Sequence, residues 1–277
     1  MEIHALNIYP VKALGGFSLR RALLTSRGLA ITLGEHYLFD RQWMLINAQQ
    51  QMITQRQLPG LARLQPELIG DALCLSAQGH DAITLALAPS DAPEITCLVW
   101  RTPVQVQVCS DAINQWLNRV FPGENLQLVS LACERPTLLK RFGPQSSTHF
   151  ADAAPYLVAS TASLAALNTA LAQENLGLMD ARRFRANIWL DGLAPFAEHQ
   201  LTSLGQAAWQ LRLVDHCQRC SVITVDPDLG TFTPNAVPIN TLARLNPMPN
   251  QPRAPAFGVN AVYECDEACW VEVGDRF

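Results

Sequence analysis

The chain has 277 residues, of which 49% are hydrophobic and 16% charged, so it can bury one large core or two smaller ones. Its 20 basic and 24 acidic residues give a net charge of −4, which excludes an overall basic field for nucleic acid or an anionic membrane. No apolar run reaches the roughly 20 residues of a membrane helix, and the N-terminus does not resemble a signal peptide.

Short strands dominate the predicted N-terminal half. Gly15-Gly16 between two apolar runs predicts a hairpin of residues 3–13 and 17–26. A second strand pair is predicted at residues 37–47 and 51–57. Further short strands are predicted at residues 63–68, 72–76, 83–87, 95–100 and 104–109. Many short strands separated by turn residues indicate a sheet-rich, barrel-like body.

The middle of the chain introduces helices and a candidate boundary. Ser110 followed by apolar residues at helical spacing predicts a helix to about Phe121. A strand is predicted at 126–132, and the polar text of 135–154, with Gly143-Pro144-Gln145-Ser146-Ser147, predicts a linker or mobile loop. We therefore expect an N-terminal β subdomain at 1–125 and a second domain at 126–277.

The C-terminal half predicts one more helix among strands. Ser160-Thr161 begins a helix that runs to about Glu174, and strands are predicted at 185–191 and 208–214. The proline-rich text of 234–255 predicts mostly loop, and 257–273 predicts a closing hairpin. The predicted fold class is therefore mainly β with a few helices, an α+β arrangement.

One stretch, from His216 to Gly230, concentrates the chemistry. Cys217 and Cys220 flank Arg219, a β-branched run predicts a strand, and Asp-Pro-Asp-x-Gly predicts a turn. A thiol beside a permanent cation is biased toward thiolate, the form that attacks electrophiles and binds soft metals. One of these cysteines is therefore the leading functional candidate.

The residues alone leave several interpretations of this pair open. The two thiols could be half of a structural zinc site with Cys265 and Cys269, a redox dithiol, or two inert buried thiols. A redox dithiol ranks below zinc because the pair is predicted before a strand and a turn, not between a strand and a helix. His216 could move protons, although a packed strand-end histidine is the simpler interpretation.

The Cys-x-Arg-Cys run with Thr-Val-Asp-Pro-Asp and Gly resembles the signature of MOSC domains. Three further segments agree with it, namely 9–12, 39–43 and 183–188. Their order resembles the subgroup that contains the mitochondrial amidoxime-reducing component and bacterial YcbX-type proteins. The resemblance implies a MOSC-type β-barrel core with a sheet-rich N-terminal subdomain. The eight scattered cysteines favour a reducing compartment, and we expect a cytoplasmic protein, which departs from the mitochondrial relatives.

The resemblance also implies a cofactor and a site. Cys220 would be the catalytic thiolate that binds the metal of the molybdenum cofactor, Mo-molybdopterin, and Arg219 would hold it deprotonated. The positions implied to surround the pterin and its phosphate are Lys12, Arg41, Ser160, Thr161, Arg185, Asn187 and Arg219. Ala13 stands where a serine or similar polar residue is usual, and Ala186 replaces the usual proline.

The implied function is an oxidoreductase that reduces N-hydroxylated or N-oxygenated small molecules. The sequence contains no C-x₄-C-x₂-C run for a ferredoxin-type cluster, so we expect electrons from a separate ferredoxin-like or flavin protein. NADH or NADPH alone is then not expected to support turnover. The alternatives are a carrier of sulfur or cofactor, and the structural zinc protein. Neither nucleic acid nor a membrane is an expected partner.

Overall fold

The computed structural model describes residues 1–88, 92–137, 140–143, 146–234 and 237–277. Within them the chain is mainly β with three α-helices, as the sequence predicted. The first twelve strands are β1 (Glu2–Ile8), β2 (Phe17–Leu19), β3 (Arg21–Thr25), β4 (Gly28–Leu33), β5 (His36–Phe39), β6 (Trp43–Ile46), β7 (Met52–Ile53), β8 (Gln65–Ile69), β9 (Ala72–Ala77), β10 (His80–Leu85), β11 (Glu94–Val99) and β12 (Thr102–Val108).

The remaining elements are eight strands and the three α-helices. The strands are β13 (Gln127–Leu131), β14 (Tyr156–Ser160), β15 (Ile188–Asp191), β16 (Ser203–Gln206), β17 (Trp209–Gln218), β18 (Pro247–Met248), β19 (Gln251–Tyr263) and β20 (Cys269–Glu272). The helices are α1 (Asp111–Val120), α2 (Thr161–Gln173) and α3 (Val237–Leu245). None of the helices described is long and apolar enough to cross a membrane.

The largest sheet, here called the site sheet, combines strands from both ends of the sequence. Its order is β16-β17-β19-β14-β15-β1-β2, and β18 pairs with β19. The other sheets have the orders β20-β3-β4-β5, β11-β12-β13-β6-β7 and β10-β9-β8. Thus β1 completes a sheet of C-terminal strands, and β20 completes a sheet of N-terminal ones. The boundary near residue 125 stays a prediction.

A single large core joins the two halves of the sequence. Ile3, Leu24 and Leu61 from the first half belong to the same buried cluster as Val158 and Val271. Burial of apolar surface contributes about 25 cal/mol per Å², so this shared cluster stabilises the two halves together. A second cluster packs α2 over the site sheet.

Three predicted elements are confirmed in position. The Gly15-Gly16 turn connects β1 to β2, with Ile8 paired to Phe17. Helix α1 buries the apolar side chains that gave it helical spacing, including Trp116 and Leu117. Helix α2 begins after Ser160, whose Oγ accepts a hydrogen bond from the Ala162 N–H at 3.2 Å.

Three other predictions were wrong. The β-branched run after Cys220 forms a 3-10 helix, Ser221–Thr224, in which the Thr224 hydroxyl donates to the Ser221 carbonyl at 2.7 Å. The proline-rich segment contains α3, which tolerates Pro238 because the first helical turn needs no N–H donor there. The closing strands form no hairpin, because β20 pairs with β3 while β19 pairs with β14 and β17.

The predicted loop of 135–154 is in part outside the described residues, since Pro144 and Gln145 of its turn text lie there. Its described part is well packed. The Arg135 guanidinium is buried and donates to the carbonyls of His149 and Ala151 at 2.8 and 3.1 Å. This segment carries Phe150 into a buried cluster with side chains of β6, β11, β12 and β13, and Asp152 into contact with Lys12.

Candidate cofactor cleft

A cleft of about 450 Å³ lies where loops from the N-terminal half meet the site sheet. Loops after β1, β5 and β7 form one wall, and the loop after β17 forms the other. The predicted site residues that line it are Lys12, Arg41, Arg185, Asn187, Arg219 and Cys220. The fold therefore brings together six residues that are spread over more than 200 positions of sequence.

The site sheet holds the cysteine loop in position. Strand β17 pairs with β19 as far as Gln218, and the Arg219 N–H then donates to the Pro255 carbonyl at 2.8 Å. The chain turns there, and Cys220 caps the 3-10 helix that follows. Both thiols are partly exposed, and both line the cleft.

Each of the two thiols accepts a hydrogen bond from a different arginine. Arg219 Nη1 donates to Cys217 Sγ at 3.1 Å, and Arg56 Nη2 donates to Cys220 Sγ at 3.1 Å. The resemblance implied that Arg219 would serve Cys220, but the structure pairs it with Cys217. Burial raises the pKa of the Cys217 thiol, and the charge of Arg219 opposes that rise.

Lys12 is a buried ammonium group at the edge of the cleft. Its Nζ donates to the Phe150 carbonyl at 2.7 Å and forms an ion pair with Asp152. Only 7% of the Lys12 side chain is exposed, compared with 60% of the Asp152 side chain. Burial lowers the pKa of Lys12, and the Asp152 carboxylate opposes that change. The carboxylate is therefore the solvent-facing member of the pair.

Two arginines pack against the ring of one aromatic residue. The guanidinium carbons of Arg41 and Arg185 lie 4.7 and 4.4 Å from the Tyr9 ring centroid. Arg41 also donates to the Arg185 carbonyl at 2.9 Å and forms an ion pair with Asp40. Burial, with a smaller effect from Arg41, lowers the pKa of Arg185 to about 10.

The backbone of the cleft is unusual. Ala13, Arg41, Trp100 and Arg185 all line it and have positive φ angles of 70, 51, 59 and 56°. Residues other than glycine rarely adopt this conformation, and it costs of order 1–3 kcal/mol at each position. Such positions cluster at functional sites, where the surrounding contacts maintain them.

Asn187 is a partnered structural amide. It is 1% exposed, its Oδ1 accepts from the Leu157 N–H at 3.1 Å and from Arg41 Nη1 at 3.3 Å, and its Nδ2 donates to the Asn7 carbonyl at 3.3 Å. These bonds tie β14 to β1 and orient Arg41. Asn187 in an apolar strand is either a structural amide or a hydrogen-bonding group for a heterocyclic ligand, and these partners favour the structural role.

Ser160 and Thr161 lie outside the lining of this cleft. Ser160 is fully buried and its hydroxyl caps α2, while the Thr161 hydroxyl donates to Asp191 Oδ1 at 2.8 Å. Both hydroxyls are therefore engaged within the protein.

Arg182 and Arg183 are ion-pair partners of the turn after the cysteine loop. Arg182 bridges Asp180 and Asp228, at 2.6 and 2.8 Å, and Arg183 pairs with Asp226 at 2.7 Å. Within the Arg182-Arg183-x-Arg185 cluster, Arg185 is the one that lines the cleft. Arg182 and Arg183 are salt-bridge partners, the first on the surface and the second with only 9% of its side chain exposed.

His216 is packed at the end of its strand. Its ring stacks on His199 with centroids 4.0 Å apart and a 27° angle between the rings. Burial lowers the pKa of His199 to about 4, and the neighbouring His216 adds to this effect. This geometry supports the packed strand-end interpretation, although His216 also borders the cleft.

The cleft residues that sequence reasoning missed include Arg56, Trp100 and Asp152. Arg56 follows the apolar residues of β7, so it meets the criterion that selected Lys12 and Arg41, a cation at the end of an apolar strand. Asp152 fell within the predicted loop. Trp100 lies at a hairpin tip, where the sequence gives no sign of the cleft.

The four cysteines of the zinc alternative do not form a metal site. Cys217 and Cys220 line the cleft, while Cys269 is in β20, which pairs with β3 in another sheet. Across the described residues, no group of three or more His, Cys, Asp or Glu side chains could hold a metal ion. The geometry therefore does not support a zinc site built from these pairs.

The chemistry of the lining fits an anionic cofactor with a thiolate-bound metal. Six cations line the cleft, Lys12, Arg41, Arg56, Arg141, Arg185 and Arg219, against two carboxylates, Asp152 and Asp215. Two buried donors, Arg185 Nη2 and Arg219 Nε, have no hydrogen-bond partner within the part of the chain described. Buried donors require a partner, and phosphate oxygens bind guanidinium groups well. A single thiolate with no further protein ligand suits a metal that a cofactor already chelates.

Two family models match the chain. Residues 1–124 match the MOSC N-terminal beta barrel domain, and residues 145–277 match the MOSC domain. Among similar proteins, the mitochondrial amidoxime-reducing component 1 of Homo sapiens is 32% identical over 85% of this chain and 69% of its own length. The mouse protein of the same name is 31% identical over 85% of this chain and 68% of its own length.

A second group of relatives is larger. The molybdenum cofactor sulfurase of Drosophila willistoni is 28% identical over 87% of this chain but only 29% of its own length. Both groups are named for enzymes, in agreement with the expectation of an enzyme. The chain therefore belongs to the MOSC family of molybdenum-cofactor-related enzymes, in the type that contains the mitochondrial amidoxime-reducing components.

Proposed function

We propose that this protein is a molybdenum-cofactor oxidoreductase that reduces N-hydroxylated compounds such as amidoximes. The observation that carries the proposal is the convergence of the Cys220 thiol with Lys12, Arg41, Arg185 and Arg219 on one cleft. The similarity to mitochondrial amidoxime-reducing components supports the substrate class, and the chemistry of the cleft supports the cofactor.

In this proposal Cys220 holds the molybdenum through its thiolate, and Arg56 keeps that thiol oriented toward the cleft. Arg185 and Arg219 use their free donors on the anionic part of the cofactor. Lys12 adds a further cation, and Asn187 acts indirectly by orienting Arg41. Ser160 and Thr161, whose hydroxyls bond within the protein, are assigned no contact with the cofactor.

When bound, the molybdenum cofactor supplies a two-electron redox centre for cleavage of an N–O bond. The overall reaction converts an amidoxime, two electrons and two protons into an amidine and one water molecule. A separate ferredoxin-like or flavin protein delivers the electrons. The residues of the cleft bind and orient the reactants and exclude water. We also propose a cytoplasmic location, which suits eight free cysteines.

Metal analysis combined with turnover tests the proposal. We expect near-stoichiometric molybdenum in the purified protein and reduction of benzamidoxime with reduced viologen as electron donor. Arg182→Ala, which removes a surface ion pair, serves as the matched control and should behave like the wild type. Stoichiometric zinc without molybdenum, or transferable sulfane sulfur without reduction, would reject the oxidoreductase in favour of the zinc protein or the carrier.

A further inference from the structure

Trp100 is presented to the cleft at the tip of a hairpin. It lies between β11 and β12, has a φ angle of 59°, and is 42% exposed. The hairpin is anchored beside β7, where the Leu98 N–H donates to the Gln50 carbonyl at 2.9 Å. A large aromatic side chain in this backbone conformation is uncommon, so the turn holds the ring at the mouth of the cleft against local preference.

Arg56 connects this ring to the cysteine. Its guanidinium carbon lies 4.5 Å from the Trp100 ring centroid, and its Nη2 lies 3.1 Å from Cys220 Sγ. Because Trp100 is 42% exposed, part of its indole remains available to a planar partner. The exposed ring is thus separated from the thiol by the width of one guanidinium group.

The remaining lining of the cleft combines eight charged residues with polar, small and apolar ones. Phe184, the other Phe, Tyr or Trp side chain there, is fully buried, and the larger aliphatic side chains are those of Leu157, Val222 and Met248. Trp100 is therefore the exposed aromatic surface within the described lining. Charged groups can orient an N–O group, but they give little binding energy to the rest of a neutral substrate.

We propose that Trp100 is a specificity-determining residue that selects N-oxygenated substrates carrying an aromatic ring. The inference rests on the proposed function and adds the substrate class. The substrate ring packs against the exposed part of the Trp100 indole, and its N–O group extends into the cleft that Cys220 lines. Stacking on an aromatic side chain contributes to affinity without hydrogen bonding, so it distinguishes aromatic from aliphatic substrates.

The chain offers a matched control for this test. Trp270 is 38% exposed and packs against Arg21, whose guanidinium carbon lies 3.9 Å from the ring centroid, but neither residue lines the cleft. Trp270→Ala therefore removes a similar exposed arginine–tryptophan pair elsewhere on the surface. Trp100→Phe keeps an aromatic ring at the hairpin tip.

The experiment compares benzamidoxime with acetamidoxime, as aromatic and aliphatic probes. Calorimetric titration of the holoenzyme without an electron donor gives their dissociation constants, and turnover with reduced viologen gives kcat/KM. We expect Trp100→Ala to weaken benzamidoxime binding about tenfold and acetamidoxime binding less than twofold. Trp100→Phe should retain most of the preference, and Trp270→Ala should retain all of it.

An equal loss for both probes in Trp100→Ala, or no loss for either, would overturn the inference while reduction by the wild type still upheld the proposed function. Conversely, a selective loss of benzamidoxime binding in Trp100→Ala, together with a wild type that reduces neither probe, would support the aromatic platform and reject the reductase.

Discussion

Cys217 and Cys220 are three positions apart, yet the arginines that contact them have different origins. Arg219, the partner of Cys217, is two residues away along the chain. Arg56, the partner of Cys220, comes from the N-terminal half, 164 residues away. The arginine that contacts Cys217 is therefore supplied by the same loop, whereas the arginine that contacts Cys220 is brought there by the fold of the whole chain. Cys220, the thiol proposed to bind the metal, has the partner that depends on the fold.

Replacing each cysteine in turn should give the largest effect and tests whether the two thiols have different roles. Cys220→Ala should remove nearly all molybdenum and all detectable amidoxime reduction, because it deletes the proposed metal ligand and little volume. Cys217→Ala should be milder, with a loss of about tenfold in activity, as expected for a neighbour of a ligand. Metal content, thermal unfolding and turnover provide the measurements. Equal damage from both changes, with loss of zinc, would reverse the assignment.

The cations extend the comparison to the rest of the cleft. Lys12→Ala and Arg185→Ala should each reduce cofactor retention about 10- to 100-fold, because a charge-assisted contact is worth roughly 1.5–3 kcal/mol. The molybdenum-to-protein ratio should also fall as NaCl is raised. Both variants should remain folded by circular dichroism. A normal ratio in both would show that the anion is held elsewhere.

Acidification should lower the free energy of unfolding through His199, whose ring stacks on His216. Its pKa of about 4 in the folded protein lies below its ordinary value of 6.5, so the unfolded chain binds the proton first. His199 therefore contributes fully above pH 6.5, and its contribution declines as the pH falls toward 4. Between pH 7 and pH 5 the free energy of unfolding should drop by about 2 kcal/mol from this group.

Urea unfolding of His199→Gln at the two pH values checks this expectation. The variant should show a pH dependence that is smaller by that amount, because the glutamine does not titrate. His216→Gln is the companion variant, since His216 stacks on His199 and contributes to its lowered pKa. An unchanged pH dependence in His199→Gln would mean that the histidine is solvated in solution.

The smallest expected effect concerns the thiol of Cys217. Arg219→Ala should raise the pKa of Cys217 further, because Arg219 opposes the effect of burial. Alkylation of Cys217 by iodoacetamide at pH 7.5 should then slow about threefold, since the thiolate is the reactive form. Arg56→Ala should leave that rate unchanged. Peptide mass spectrometry separates the two cysteines, and equal rates in all three proteins would contradict the separate pairing.

The sequence predicted the part of the site that short segments determine. Lys12, Arg41, Arg185 and Cys220 each follow or precede an apolar strand within a recognisable segment, and all line the cleft. Arg56 and Trp100 were missed because their position depends on how a hairpin of one sheet approaches a loop of another. No local pattern encodes such an approach.

Errors in the fold have a similar origin. The predicted C-terminal hairpin assumed that strands next to each other in the sequence pair with each other. Instead, the backbone of β20 forms its hydrogen bonds with β3. The N-terminus of α2 has the helix dipole that favours an anion, which agrees with the predicted role of Ser160. In the structure, however, the Ser160 hydroxyl accepts a hydrogen bond from the Ala162 N–H. In both cases a partner inside the protein replaced the one that the local sequence suggested.

Strand β1 lies in the site sheet, strand β20 lies with β3, and Glu2 forms an ion pair with Arg276 at 2.9 Å. This exchange of strands has an evolutionary consequence. A recombination event that transferred only the coding region for residues 145–277 would deliver Cys220 without Arg56 and without β1. The two segments must therefore be inherited together for Cys220 to keep its arginine and for the site sheet to keep β1.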